Sequence, residues 1–232
     1  MKRIFVPTAG ARDWQRLLAK PMLHWKKGRS AMTTAACWEA MPGQLPVEVK
    51  AILDSSNEAE LTGLQLLAAL PEWEVPLPGG ARSSFTDVLA LASNNAGLVA
   101  VAVEAKVDEA FGPTLREKRA DPSDGVLGRI SYLHEVLRRE SPLDDQIRYQ
   151  LLHRTASALL TATDFHASAA VMLVHSFSPT ARWREDFDAF FLPLWARHHY
   201  RITYRLFRDL RVQKLYLAWC AGNQAFLDDD LG

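Results

Sequence analysis

The sequence predicts an α/β domain: a mixed β-sheet flanked on its faces by α-helices. Three observations lead there. LVAVAVEAKV (98–107) and AAVMLVHSF (169–177) are apolar, valine-bearing runs that read as buried strands. IRYQLLHRTASALLTA (147–162), lying between them, carries its apolar residues at helical spacing. The predicted elements run helices, strand pair, helices, strand, helix, strand, an order that suits a mixed sheet covered by helices.

Residues 1–30 are mixed, with a basic cluster at Lys26, Lys27 and Arg29. Ser30 is placed to cap a helix through AMTTAACWEAM that Pro42-Gly43 ends. A second helix is predicted near 46–54. EAELTGLQLLAAL (58–70) has helical spacing and stops before Pro71, so a third is predicted there. PLPGGARSS (76–84) is a turn-rich loop. FTDVLALAS is read as a strand over 85–92, and Asn94-Asn95-Ala96-Gly97 turns it into the strand that begins at Leu98. Residues 108–126 look irregular. Helices are predicted at 127–139, 147–162 and 183–196, with strands at 169–177 and 214–220. The chain reads as a single domain over 1–232, with 1–23 and 180–213 as candidate appendages to the core.

Composition narrows the function. Of 232 residues, 48% are hydrophobic and 23% charged, which is globular rather than disordered composition. Lys plus Arg total 27 and so do Asp plus Glu, so a polyanionic partner must be met by a local patch. The N-terminus lacks the apolar core of a secretory signal, and no apolar run reaches membrane-spanning length. Cys37 and Cys220 form no C-x-x-C pair, which fits a reducing compartment and argues against structural zinc. A cytoplasmic protein is expected. No G-x-S-x-G, P-loop or Rossmann glycine pattern is present.

The chemistry is expected in the hairpin. Alternate residues of a strand share a face. Val99, Val101, Val103 and Val107 form a packing surface. Leu98, Ala100, Ala102, Glu104 and Lys106 form the other face, where small residues leave room before two opposite charges. A carboxylate beside an ammonium suits metal-assisted hydrolysis. The carboxylate binds a hard cation, and the ammonium serves water and the charge growing on a phosphate. A second acid is needed, and Asp87 stands near the start of the neighbouring strand. E-x-K alone is weak, with roughly 0.4 chance occurrences expected. A second copy, Glu48-Val49-Lys50, lies in a helix start with no strand before it. The competing reading of the Glu104 copy is a strand-end salt bridge.

Asp87 with Glu104-Ala105-Lys106 resembles the PD-(D/E)XK, or restriction-endonuclease-like, superfamily. The surrounding text LPGGARSSFTDVLALA, VAVEAKVDEAFGPT and IRYQLLHRTASALL looks like a bacterial branch of it, over roughly residues 24–178. One departure is Thr86, where the motif has proline before the acid. The resemblance implies a restriction-endonuclease-like mixed sheet flanked by helices. It also implies hydrolysis of phosphodiester bonds, in DNA first, with Mg2+ or Mn2+ held by Asp87 and Glu104 and with Lys106 serving the water. Such enzymes often dimerise to cut both strands, so it admits a homodimer. An inactive nucleic-acid- or protein-binding module on the same scaffold is the alternative, supported by the zero net charge.

In several branches a helix after the E-x-K strand brings a Gln and a basic residue to the site, and Gln150 and Arg154 match by position. Others take an acid from an early helix. Glu39 is the first choice here and Glu60 the second. The competing reading for each is an ordinary solvated surface. The stretch WARHHYRITYRLFRDLRVQK reads equally as helix or strand, and Arg201 and Arg205 share a face in both, forming the best basic patch for a phosphate backbone. Its competing reading is an amphipathic surface element. The seven histidines suggest no metal constellation, and His175 is read as structural.

Overall fold

The computed structural model describes the backbone of residues 1–232 other than 2, 6, 7, 80, 81, 138–142, 196–201, 206–211 and 232, and side chains other than those of 192–195, 202–205, 212 and 213 as well. Six strands form one mixed sheet: β1 (Gln65–Val75), β2 (Ser84–Asn94), β3 (Gly97–Lys106), β4 (Ala169–Ser176), β5 (Ile202–Arg205) and β6 (Val212–Ala221), in the order β1-β2-β3-β4-β6-β5. β1, β2 and β3 make an antiparallel meander. β4 joins β3 in parallel, β6 joins β4 in parallel, and β5 closes the far edge antiparallel to β6.

The helices are α1 (Pro21–His24), α2 (Ser30–Ala40), α3 (Val47–Ser55), α4 (Leu115–Ala120), α5 (Asp124–Val136), α6 (Tyr149–Asp164) and α7 (Arg184–Trp195). They divide the apolar core between the two sheet faces. On one face Leu89, Ala100, Ala102, Met172 and Val174 pack with Leu151, Leu152 and Leu159 of α6 and Leu133 of α5. On the other, Val88, Val99, Val101, Val103, Val171 and Leu173 pack with Met32 and Trp38 of α2 and Val49 and Leu53 of α3. Burying each such Val or Leu contributes about 1.5–3 kcal/mol, so the sheet is held from both sides. β4 is buried along its whole length, as a parallel strand covered on both faces must be.

Two sequence expectations are corrected. Residues 58–70 are not a helix: a turn leads into β1 at Gln65. β1 is an edge strand, so Pro71 costs no ladder bond in the sheet's interior, and tertiary pairing with β2 overrides the local helical spacing. The supposedly irregular 108–126 contains α4, whose start is a capping box between Thr114 and Glu117. In addition, Ser30 is the first residue of α2 rather than its cap, and its N–H and hydroxyl donate to Glu109 at 3.0 and 3.3 Å.

Small side chains position the next layer. Ala100 and Ala102 let α6 approach β3 closely. The start of α6 is fastened to the chain leaving β3, with Tyr149 N–H donating to Pro113 O and Leu115 N–H to Ile147 O. The polar stripe of α6 is therefore turned toward the sheet, above the end of β3.

Candidate active site

The β2–β3 pairing ends at Val88↔Val103. One position further, Asp87 and Glu104 face one another. The Asp87 carboxylate replaces a ladder carbonyl and accepts the Ala105 N–H at 2.7 Å. On β1, Pro71↔Val88 and Trp73↔Thr86 bracket Glu72, which places it opposite Asp87. Glu72, Asp87 and Glu104 thus form a row of acids across three adjacent strands.

Glu72 has φ 51°, a left-handed conformation rare for a non-glycine residue in a strand. Such a conformation costs about 1–3 kcal/mol and persists where surroundings enforce it, commonly at functional sites. Sequence reading missed Glu72 because the preceding segment was read as a helix. With β1 in register, its alignment with Asp87 is the signal that finds it.

Glu104 is the most tightly held of the three. Lys106 donates to Oε1 in a buried ion pair, Gln150 Nε2 donates to the same oxygen at 2.7 Å, and Arg154 Nε donates to Oε2 at 2.5 Å. Glu104, Lys106 and Arg154 are only 2%, 4% and 9% exposed, so these are not surface contacts. Arg154 also donates to Ser84 Oγ at 2.7 Å, and Ser84 is 3.0 Å from His153 Nδ1. The Lys106 ammonium lies 5.1 Å from the centre of the Phe111 ring, a second constraint on its position.

The electrostatics divide the row. Burial pushes the Glu104 carboxyl up, but the charges and hydrogen bonds of Arg154 and Lys106 prevail and hold it down at about 2. Asp87 is pushed up to about 7 by burial and by the Glu104 charge. Glu72 is pushed up to about 8 by burial and by Asp87. Burial, then Arg154, keeps His153 neutral, with its pKa lowered to about 3. The donor type, carboxylate oxygen, is the one a hard divalent cation takes, and the raised Glu72 and Asp87 carboxyls hold protons that a cation would displace. Among the described residues, however, the three acids do not bring their oxygens within 4.8 Å of one another.

Asp87 lies where two cavities meet. One, of about 560 Å3, is lined by Glu104, Lys106, Lys118, Gln150, His153 and Arg154. The other, of about 490 Å3, is lined by Glu72, Trp14, Trp25, Lys26 and Arg29. His24, Ser30, Asp87 and Glu109 border both. Lys26 and Arg29, two members of the basic cluster seen in the sequence, are exposed at this rim.

Of the site residues expected from sequence, Asp87, Glu104, Lys106, Gln150 and Arg154 come together. Gln150 and Arg154 are on no solvated surface; they reach Glu104. Glu39 does not join them: its Oε1 accepts from Thr8 Oγ1 and Trp14 Nε1, each at 3.0 Å, which fastens the N-terminal segment to α2. Glu60 pairs with Lys214 of β6. Arg201 lies outside the described residues. Arg205 ends β5, at the sheet edge opposite β1, and its side chain also lies outside them.

The fold and site together define an α/β domain whose antiparallel meander carries an acid row and a buried lysine. The chain belongs to the DUF6946 family, a domain of unknown function that matches residues 7–224. No curated protein and no solved structure matches it. Among the described residues, no helix is long and apolar enough to cross a membrane.

Proposed function

We propose that this protein is a metal-dependent nuclease of PD-(D/E)XK type, hydrolysing phosphodiester bonds in DNA. One observation carries the reading: Asp87 and Glu104 stand opposite one another with Lys106 on the same face, and Asp87 also borders a second cavity rimmed by Lys26 and Arg29. Glu72 extends the acid row beyond the two carboxylates the sequence motif supplies.

Glu72, Asp87 and Glu104 would hold Mg2+ or Mn2+, which when bound supplies Lewis-acid stabilisation of charge on the phosphate. The chain's own residues do the rest. Lys26 and Arg29 attract the polyanion to the cavity mouth. Lys106, fixed by Glu104 and Phe111, orients the attacking water and offsets charge growing on the phosphoryl oxygens. Water oxygen bonds to phosphorus as the phosphorus–ester oxygen bond breaks. The proton lost by water passes to solvent. The displaced ester oxygen takes a proton from solvent. Arg154 and Gln150 act as positioning residues, holding Glu104 ionised and aimed.

The test is cleavage of circular, linear and single-stranded DNA by wild type and Lys106→Ala, with Mg2+, Mn2+ or EDTA. Cleavage that needs metal and is lost in the variant is the expected result. DNA binding without metal-dependent cleavage would replace the reading with a binding module. Neither binding nor cleavage would reduce the Glu104–Lys106 pair to a strand-end salt bridge.

A further inference from the structure

Directly behind the E-x-K element, on the opposite face of the sheet, lies a second cluster. β4 pairs Ala105, the residue between Glu104 and Lys106, with His175. His175 in turn pairs with Cys220 of β6. Cys37 of α2 and Glu48 of α3 reach down onto them. The ligand atoms of Cys37, Glu48 and His175 all lie within 4.8 Å of one another. Cys37, His175 and Cys220 are 3%, 0% and 2% exposed and belong to the same apolar core as Trp38, Leu53 and Leu173, while the Glu48 side chain, 21% exposed, closes the group toward solvent.

Its geometry is that of a coordination shell. Zinc binds sulfur at about 2.3 Å and nitrogen or oxygen at about 2.0–2.2 Å, so tetrahedral donors stand roughly 3.3–3.8 Å apart. Cys37 Sγ is 3.5 Å from Glu48 Oε1, and His175 Nε2 is 3.2 Å from the same oxygen. Asn223 N–H also donates to that oxygen, at 3.1 Å, which aims the carboxylate and links the chain leaving β6 to α3. Without a cation these contacts hold the three side chains together as hydrogen bonds to one carboxylate oxygen, which sets their donor atoms at the spacing a cation needs. Glu48 belongs to the second E-x-K of the sequence, but Lys50 points elsewhere and pairs with Asp54 at 2.5 Å.

We propose that Cys37, Glu48 and His175 form a Zn2+ site that ties α2 and α3 to β4. The mixed sulfur, nitrogen and oxygen donors suit Zn2+ and not the hard cation expected at Asp87. The three ligands come from three separate elements, so the cation would fasten α2 and α3 to β4, the neighbour of the strand that carries Glu104 and Lys106. The absence of a C-x-x-C pair, read in the sequence as an argument against zinc, does not apply to ligands gathered from three separate elements.

The experiment uses the full chain. Metal content is measured after purification without chelators. The apoprotein is then titrated with Co2+ under reducing conditions and compared with Cys37→Ser, Cys220→Ser and an Asp87→Ala/Glu104→Ala variant. One Zn2+ per chain, a near-ultraviolet thiolate-to-cobalt absorption displaced by Zn2+, and a higher Tm with metal are expected. Metal content should fall at least tenfold in Cys37→Ser and stay unchanged in the Asp87/Glu104 variant, which keeps this result independent of the nuclease reading. A folded wild-type chain that carries no zinc and gives no thiolate–cobalt band overturns the proposal. So does a Cys37–Cys220 disulfide found in the protein as purified.

Discussion

Glu72 and Asp87 stand opposite one another on β1 and β2, and neither can ionise freely beside the other. Burial lifts both carboxyl pKa values, that of Glu72 to about 8 with the Asp87 charge adding to it, and that of Asp87 to about 7 with the Glu104 charge adding to it. A divalent cation must displace these protons, so binding should tighten as pH rises. Calorimetric Mg2+ titrations from pH 6 to pH 8.5 should show affinity rising and proton release falling, and Glu72→Gln should flatten both trends. Affinity independent of pH would remove the acid row from the metal site.

The same pair fixes the pH dependence of stability without metal. Both groups have folded-state pKa values above their unfolded ones, so the folded chain holds more protons between about pH 4 and pH 8 and loses stability as pH rises through that window. Glu104 works the other way: its depressed value gives stability above the ordinary carboxylate range that is lost as pH falls toward about 2. In EDTA, denaturant midpoints should therefore decline from about pH 5 to pH 8. Added Mg2+ should recover the loss at the alkaline end.

Arg154 and Glu104 form a buried pair, and removing one partner strands the other. Arg154→Met should destabilise the fold by roughly 3–5 kcal/mol, because Glu104 keeps a charge in a nearly solvent-free place. The double variant Arg154→Met/Glu104→Gln should recover much of that. Chemical denaturation of the three proteins measures the coupling. Additive losses would mean that Lys106 and Gln150 alone suffice to hold Glu104.

The E-x-K strand was legible because period-two alternation separates its valine face from the Ala100, Ala102, Glu104 face without any knowledge of the partners. The hairpin fixed Asp87 against Glu104 in the same way. β1 was not legible: EAELTGLQLLAAL satisfies a helical spacing locally, and only pairing with β2 makes it a strand, so Glu72 stayed hidden. α6 was legible as a helix, and the resemblance already offered Gln150 and Arg154 of its polar stripe to the site, but helical spacing alone could not choose between that and a solvated face. Cys37, Glu48 and His175 come from α2, α3 and β4, and no local pattern links them. Arg205 shows the opposite failure. Its charge density was visible, but the strand order that carries it to the far edge was not.

Lys106→Met should separate chemistry from binding. Lys106 touches Glu104 and Phe111 inside the site and lies away from the rim, so DNA affinity should persist while cleavage falls at least about 100-fold, the lower end for loss of a positioned proton-transfer or charge-stabilising group. The fold should survive with reduced stability, because Glu104 keeps Arg154 as a cationic partner. Retained cleavage with a changed metal preference would instead assign Lys106 to tuning the acid row.

Lys26 and Arg29 provide the last test, because phosphate contacts leave a quantitative mark on salt dependence. Each neutralised phosphate contributes about 0.9 to the slope of log K against log salt for duplex DNA. Both residues are exposed where the cavity containing Glu72 and Asp87 meets solvent. Lys26→Ala/Arg29→Ala should therefore lower the slope by about 2 if each contacts one phosphate. Affinity should weaken alike for all sequences, and fold stability should stay within about 0.5 kcal/mol of wild type, as for surface substitutions generally. Trp14 and Trp25 line the same cavity, so tryptophan fluorescence quenching reads the binding without a label. An unchanged slope would place the DNA elsewhere, and the Arg201–Arg205 stretch would be the next surface to substitute.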